Sequence, residues 1–226
     1  MKKVFLTKND LEKIKNVVQE TEKKTSGEIV TAFIKESYDY AIYELIFAVS
    51  IGMLYFFIMT FFYQNIHSFI NTLFWTKIDA GYFAVIFYGA STFLIIIIFY
   101  LIANSTFIDC LIIPSKVKKT KVHERAIRHF FESGTQKTRD RTGILIFISF
   151  LEKRVELLAD QGIAEKIDQN EWNNIIDNIV SGIKKNEMTD SLIQSIKKCG
   201  NLLETHFPIK ANDENELSDE IRILDK

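Results

Sequence analysis

The chain has 226 residues, 47% of them apolar and 25% charged, with a net charge of -1. A near-neutral chain whose lysines alternate with acids has no basic field for nucleic acid, so a nucleic-acid partner is excluded. Two cysteines, Cys110 and Cys199, without metal-type spacing, exclude both a disulfide framework and a zinc site.

Residues Asn9–Lys23 read as an amphipathic helix, with Leu11, Ile14, Val17 and Val18 on one face and Asn9 with Glu12 as the capping pattern. Thr25-Ser26-Gly27 is a turn, and Glu28–Ile34 (EIVTAFI) a short strand. No early apolar core marks a cleavable leader. From Ala41 to Ala103 the charges thin to Glu44, Lys77 and Asp79. Two apolar runs lie there, near Leu45–Tyr63 and Tyr82–Ala103. Each matches the roughly 20 helical residues that cross about 30 Å of hydrocarbon. Tyr63, Trp75, Tyr82 and Tyr100 supply aromatic flanks. The expectation is a transmembrane hairpin over 41–113 with a short outer loop, 64–81. Gly52 and the Gly89-Ala90-Ser91 run are small enough for close helix contact. The spans lack the buried acids and bases of transporters, so the hairpin reads as an anchor in a lipid bilayer. Lys23, Lys24 and Lys35 precede it, and Lys116, Lys118, Lys119 and Lys121 follow it. By the positive-inside bias, both termini are expected in the cytoplasm of a multi-pass inner-membrane protein.

Val122, Ala126, Ile127, Phe130 and Phe131 mark another amphipathic helix, ending at Gly134. Thr135–Thr142 is a polar turn, and Gly143–Phe150 (GILIFISF) a strand apolar enough to be covered on both faces. After the tight connection Leu151-Glu152-Lys153, Arg154–Asp160 is its antiparallel partner. Two helices follow, and the residues from Lys210 onward form an acidic, loosely ordered tail in which Leu217 and Ile221 can dock. Neither piece flanking the hairpin can bury its strand alone. The expected fold is therefore α/β, a small mixed sheet sandwiched by helices. Residues 1–40 and 114–209 make one discontinuous domain, with the Glu28 and Gly143 strands parallel across the insert.

The sequences TSGEIV (Thr25–Val30), RDRTGILIFIS (Arg139–Ser149) and RVELLADQGI (Arg154–Ile163) resemble the TPM-domain family. So do the helical region with Gly200, His206, Phe207 and Pro208, and the closing NELSDE (Asn215–Glu220). The resemblance implies an α/β sandwich with a small central sheet. It also implies a divided functional picture: photosystem II assembly and repair in plant and cyanobacterial relatives, acid phosphatase activity in one group, and receptor modulation in an animal relative. Typical members keep the domain outside the cytoplasm, and the charge bias of this chain points the other way.

One edge of such a sheet gathers polar groups. Glu28 and Gly143 start parallel strands, the third strand ends there at Asp160, and the turn before Gly143 brings Arg139, Asp140 and Arg141. Glu28, Asp140 and Asp160 together form an oxygen-only set that suits Ca²⁺ or Mg²⁺, and Arg139 and Arg141 can hold a phosphate. The structural alternative is that Asp140 shapes its turn, Asp160 caps the next helix and Glu28 pairs with a lysine. Whether the chain is an enzyme stays open. The two functions expected are a membrane-anchored accessory module that binds other membrane proteins, and a metal-dependent acid-phosphatase-like hydrolase.

Overall fold

A computed structural model of the chain describes residues 6–74, 79–210, 213 and 215–224. Trp75, one of the aromatic flanks, and Lys77, one of the few charges between Ala41 and Ala103, lie outside the described residues. The chain divides into two compact units: Met1–Tyr38 with Lys116–Lys226, and Asp39–Ser115.

The first unit is the α/β unit. Helix α1 (Lys8–Glu22) is capped two residues before the expected position. Thr7, not Asn9, is the N-cap: Thr7 Oγ1 accepts from the Asp10 amide at 3.2 Å, and the Thr7 amide donates to Asp10 Oδ2 at 2.9 Å. This reciprocal box satisfies two amides that a helix start leaves open. Strand β1 (Glu28–Ile34) pairs in parallel with β2 (Gly143–Ser149), Glu28 opposite Gly143. Strand β3 (Arg154–Ala159) runs antiparallel to β2, joined by a turn that holds Lys153 at φ 51°.

Every residue of β1 and β2 is buried, because the sheet is covered on both faces. Ile29, Phe33, Ile144, Ile146 and Ile148 join a core formed with α1, α9 (Gln169–Lys185) and α10 (Met188–His206). Val30, Ala32, Ile34, Leu145 and Phe147 face the other way, against Val122, Ala126 and Phe130 of α7 (Ser115–Glu132). The continuous apolar runs in sequence have this two-sided burial as their cause. Helix α7 stops at Glu132, and Gly134, two residues on, takes the left-handed conformation at φ 77°. The turn after it is not simply solvated: Thr135, Thr138 and Thr142 are all buried.

The tail is more ordered than expected. Its residues Arg222–Leu224 form β4, which pairs in parallel with Ala32–Ile34 and gives the sheet order β3-β2-β1-β4. Leu217 and Leu224 join the α7-side core. Polar anchors add to these: Lys15 pairs with Glu220 at 3.4 Å, and Arg222 donates to the Ser133 carbonyl at 3.4 Å.

The second unit holds two helices long and apolar enough to cross a membrane, Ala41–Phe61 (α2) and Gly81–Ala103. The latter runs from α4 (Ala80–Phe83) through a π-helical turn (Ala84–Tyr88) into α5 (Gly89–Ala103). Both present apolar side chains outward, among them Met53, Phe57, Phe93 and Leu101. Gly52 is a contact point: a Cβ there would lie 2.3 Å from Ile96 Cγ1. Gly89 is not one, since nothing lies within 4 Å of a Cβ placed on it. The Tyr88 hydroxyl donates to the Met59 carbonyl at 3.1 Å. After α5 comes α6 (Thr106–Ile112). The expected outer loop is largely helical: Tyr63–Phe74 form α3. The sequence there carries a helical stripe that its position between two spans disguised.

Both cores of the α/β unit are drawn from residues of that unit alone. Replacing Ala41–Ile113 by a flexible linker of about 15 Gly and Ser residues should therefore leave a soluble domain with a cooperative thermal transition. Aggregation, or a broad transition without a core signal, would show that the unit depends on the hairpin.

Candidate functional site

The starting edge of β1 and β2 is built by the residues that the sequence singled out. The Glu28 amide donates to the Thr142 carbonyl at 3.0 Å, and Thr142 Oγ1 donates to the Ser26 carbonyl at 2.8 Å. The Asp160 amide donates to the Gly143 carbonyl at 2.9 Å. Gly162 packs on the preceding turn so closely that a Cβ would lie 2.8 Å from the Arg141 carbonyl oxygen. The turn itself closes through the Arg141 amide to the Thr138 carbonyl at 3.0 Å and places Arg141 at φ 54°. At the level of the backbone, the strand starts and the two turns do converge.

The side chains divide differently. Asp140 meets Lys210 at 2.6 Å, and that hydrogen bond and charge hold its carboxyl below the usual carboxylate range. Asp160 caps α8 (Gln161–Ala164), with Oδ1 accepting from the Gln161 amide at 2.7 Å. Glu28 Oε1 accepts from the Glu216 amide at 3.1 Å, rather than pairing with a lysine. The Arg139 amide donates to Glu216 Oε2 at 2.8 Å. Among the described residues, no group of three His, Cys, Asp or Glu side chains is placed to hold a metal ion. Of the set Glu28, Asp140 and Asp160, Asp140 is turned to the Lys210 ammonium, while Glu28 and Asp160 each accept a main-chain amide.

The carboxyl group that sequence reasoning missed is Glu22. Its Oε1 accepts from the Ile29 amide at 2.8 Å. Its Oε2 is buried without a hydrogen-bond partner among the described residues, as are Glu28 Oε2 and Asp160 Oδ2. Burial pushes the Glu22 carboxyl up to about 9, and the nearby Glu28 and Asp219 add to the rise. Burial also raises Glu28, with Glu216 and Asp219 as like charges. A group of four carboxyls thus lies where the closing segment meets β1, and its two strand-side members favour the protonated form. The signal in sequence was faint: Glu22 ends an amphipathic helix six positions before Glu28, and Glu216 and Asp219 sit in a stretch read as tail.

A second titratable group lies under the same segment. His129 of α7 is buried with Nε2 unpartnered among the described residues. Burial, then the charges of Arg222 and Arg125, push it below the usual imidazole range. The imidazole is therefore neutral near pH 7.

Residues 103–202 match the family model described as the TPM domain. No curated protein matches the chain. Among solved structures, the NMR structure of BA42 protein from the psychrophilic bacterium Bizionia argentinensis is similar, with a TM-score of 0.57 at 18% identity over 99% of each chain. That degree of identity speaks to the fold alone. With the strand motifs, the matched segment and this fold in agreement, the chain carries a TPM domain over residues 103–202.

Proposed function

We propose that the protein is a membrane-anchored accessory module, in which the apolar hairpin holds an α/β unit at the cytoplasmic face of the inner membrane to bind and support other membrane proteins. The observation that carries this reading is the use made of the acidic edge. Glu28 receives an amide of the closing segment, Asp140 receives Lys210 and Asp160 receives the amide of its own helix start. An edge so occupied serves to fix a rigid binding surface. The exposed apolar surface of α2 and α5 supplies the affinity for a bilayer, since a helix apolar all round has no favourable place in water.

Two experiments test it. A reporter active only in the cytoplasm, fused after residue 226, should be active, while one active only outside should be silent; the reverse pattern would overturn the orientation. The tagged full chain, captured from detergent-solubilised membranes, should retain a defined set of membrane proteins, and the variant lacking Ala41–Ile113 should lose them. Equal recovery with both would remove the need for anchoring.

A second reading, a metal-dependent acid-phosphatase-like hydrolase, is favoured by Glu28 Oε2 and Asp160 Oδ2, buried oxygens without a hydrogen-bond partner among the described residues that a cation would satisfy. It predicts that Ca²⁺ or Mg²⁺ raises the unfolding temperature by linkage. It further predicts that Glu28→Gln and Asp160→Asn each reduce that gain, and that a phosphate ester is hydrolysed. Equal cation responses in the wild type and the double variant would sink it.

A further inference from the structure

The segment between the two long apolar helices has a design of its own. Helix α2 ends at Phe61, and α3 starts at Tyr63. Phe62 between them departs from helical geometry at φ -97° and ψ 6°. At 12 residues and 1.5 Å each, α3 spans about 18 Å, too short to cross a bilayer. Its sequence, YQNIHSFINTLF, contains no Asp, Glu, Lys or Arg.

Helical spacing sorts its residues into three strips. Phe62, Ile66, Phe69 and Leu73 form one stripe, with Ile70 at its margin. Gln64, Asn65, Ser68, Asn71 and Thr72 form the opposite, polar face. Tyr63 and His67 lie between them and fasten the helix to its own unit. Their rings stack on each other at 5.9 Å with 2° between the planes, His67 meets Phe83 at 5.0 Å, and Tyr63 meets Tyr88 at 5.8 Å. The helix is thus tied along a flank, and most of the apolar stripe is left uncovered: Phe62 is 51% exposed, Phe69 66% and Leu73 58%, while Ile66 is half-buried.

We propose that α3 is an interfacial helix whose Phe62–Ile66–Phe69–Leu73 stripe is buried in the lipid leaflet at the loop end of the hairpin. The inference rests on the reading that α2 and α5 cross the membrane, and it adds a third lipid contact of a different kind. Three observations select lipid over a protein partner. The stripe begins one residue after a candidate span, so it starts at the boundary of the hydrocarbon. The helix carries no formal charge, so nothing opposes its entry into that boundary and nothing offers a charged rim to a soluble partner. Its polar face consists of amides and hydroxyls opposite Phe and Leu, the division that lets a helix lie in the plane of an interface.

The test uses the full chain in phosphatidylcholine–phosphatidylglycerol vesicles. Cys110 is replaced by Ser; Cys199 is buried and does not label. Single cysteines are introduced by Phe69→Cys on the stripe, Ser68→Cys on the polar face and Leu94→Cys within the second long helix, each carrying an environment-sensitive fluorophore. Quenching by iodide in the water is compared with quenching by nitroxides fixed at shallow and deep positions on the lipid. The label at 69 should be quenched best by the shallow nitroxide and severalfold less by iodide than the label at 68; the label at 94 should answer to the deep nitroxide. Leu73→Cys and Thr72→Cys repeat the comparison should one variant fold poorly. Iodide quenching at 69 equal to that at 68, with 94 still lipid-quenched, would overturn the interfacial helix and leave the spans in place. Shielding at 69 from both quenchers would overturn it in favour of a covering protein or a second copy. Loss of lipid quenching at 94 would overturn the membrane reading beneath it.

Discussion

Raising the pH from 6.5 to 8.5 is expected to cost the α/β unit up to about 3 kcal/mol of stability, and Glu22→Gln to remove most of that loss. The cause is the Glu22 carboxyl, which rises from an ordinary 4.5 to about 9 in the folded chain. Its folded value lies above its unfolded one, so the folded state holds the proton more tightly. The stability this confers is complete below about 4.5 and is lost as pH climbs towards 9. The ceiling of about 3 kcal/mol is one proton over two pH units. Glu28, raised by burial, pushes in the same direction. His129 acts oppositely: its folded value is lowered, so the stability it contributes is present above 6.5 and falls away as pH drops below it. Asp140 and Asp10 are lowered and act only at or below the ordinary carboxylate range, while Cys199, raised by burial to about 12, acts above 9. The window from 6.5 to 8.5 is thus left to the glutamates. Glutamine keeps the oxygen that accepts from the Ile29 amide and turns an amide towards Asp219. Thermal unfolding of the detergent-solubilised chain, followed by circular dichroism across this range, is the measurement. Parallel slopes for the wild type and Glu22→Gln would show that Glu22 is not the titrating group.

Gly143→Ala should destabilise the same unit by about 3 kcal/mol, a fall of roughly 10 °C in its melting temperature. The added Cβ would lie 2.1 Å from the Thr135 carbonyl oxygen and 2.8 Å from Thr135 Cγ2. A main-chain carbonyl cannot swing aside as a side chain can, and Thr135 is itself fully buried. The turn over Thr135–Lys137 or the start of β2 must therefore move, and β2 is paired on both sides. Gly89→Ala, with no atom within 4 Å of the new Cβ, serves as the neutral control and gains slightly in helix propensity. A Gly143→Ala chain that melts with the wild type would mean that the Thr135 turn relaxes freely.

The central strands were legible because β1 is rich in β-branched and aromatic residues and β2 is apolar nearly throughout, and their pairing followed from the length of each connection. β4 was not: Arg-Ile-Leu has no periodic signal inside a charged tail, and its partner is remote in sequence. The start of α1 was displaced because both Thr7 and Asn9 make good caps and only the register of the helix decides between them. For the site, parallel register was enough to bring Glu28 beside Gly143 and to gather the turns carrying Asp140 and Asp160. It could not give side-chain directions. Asp140 turns to Lys210, 70 residues on, and the burial of Glu22 depends on how the closing segment lies. Long-range contacts made by single charged residues leave no pattern in the chain.

The closing segment also sets a schedule for synthesis. The Glu216 amide that satisfies Glu28 is 188 residues downstream of it. At about 5–20 residues per second the ribosome delivers it roughly 10–40 s after Glu28 has been made. Throughout that interval the outer edge of β1 has no β4 to receive its amides and carbonyls, and an open edge is a template for any passing strand. The nascent chain therefore passes through a period in which it needs shelter, and early termination before Arg222 would make that period permanent.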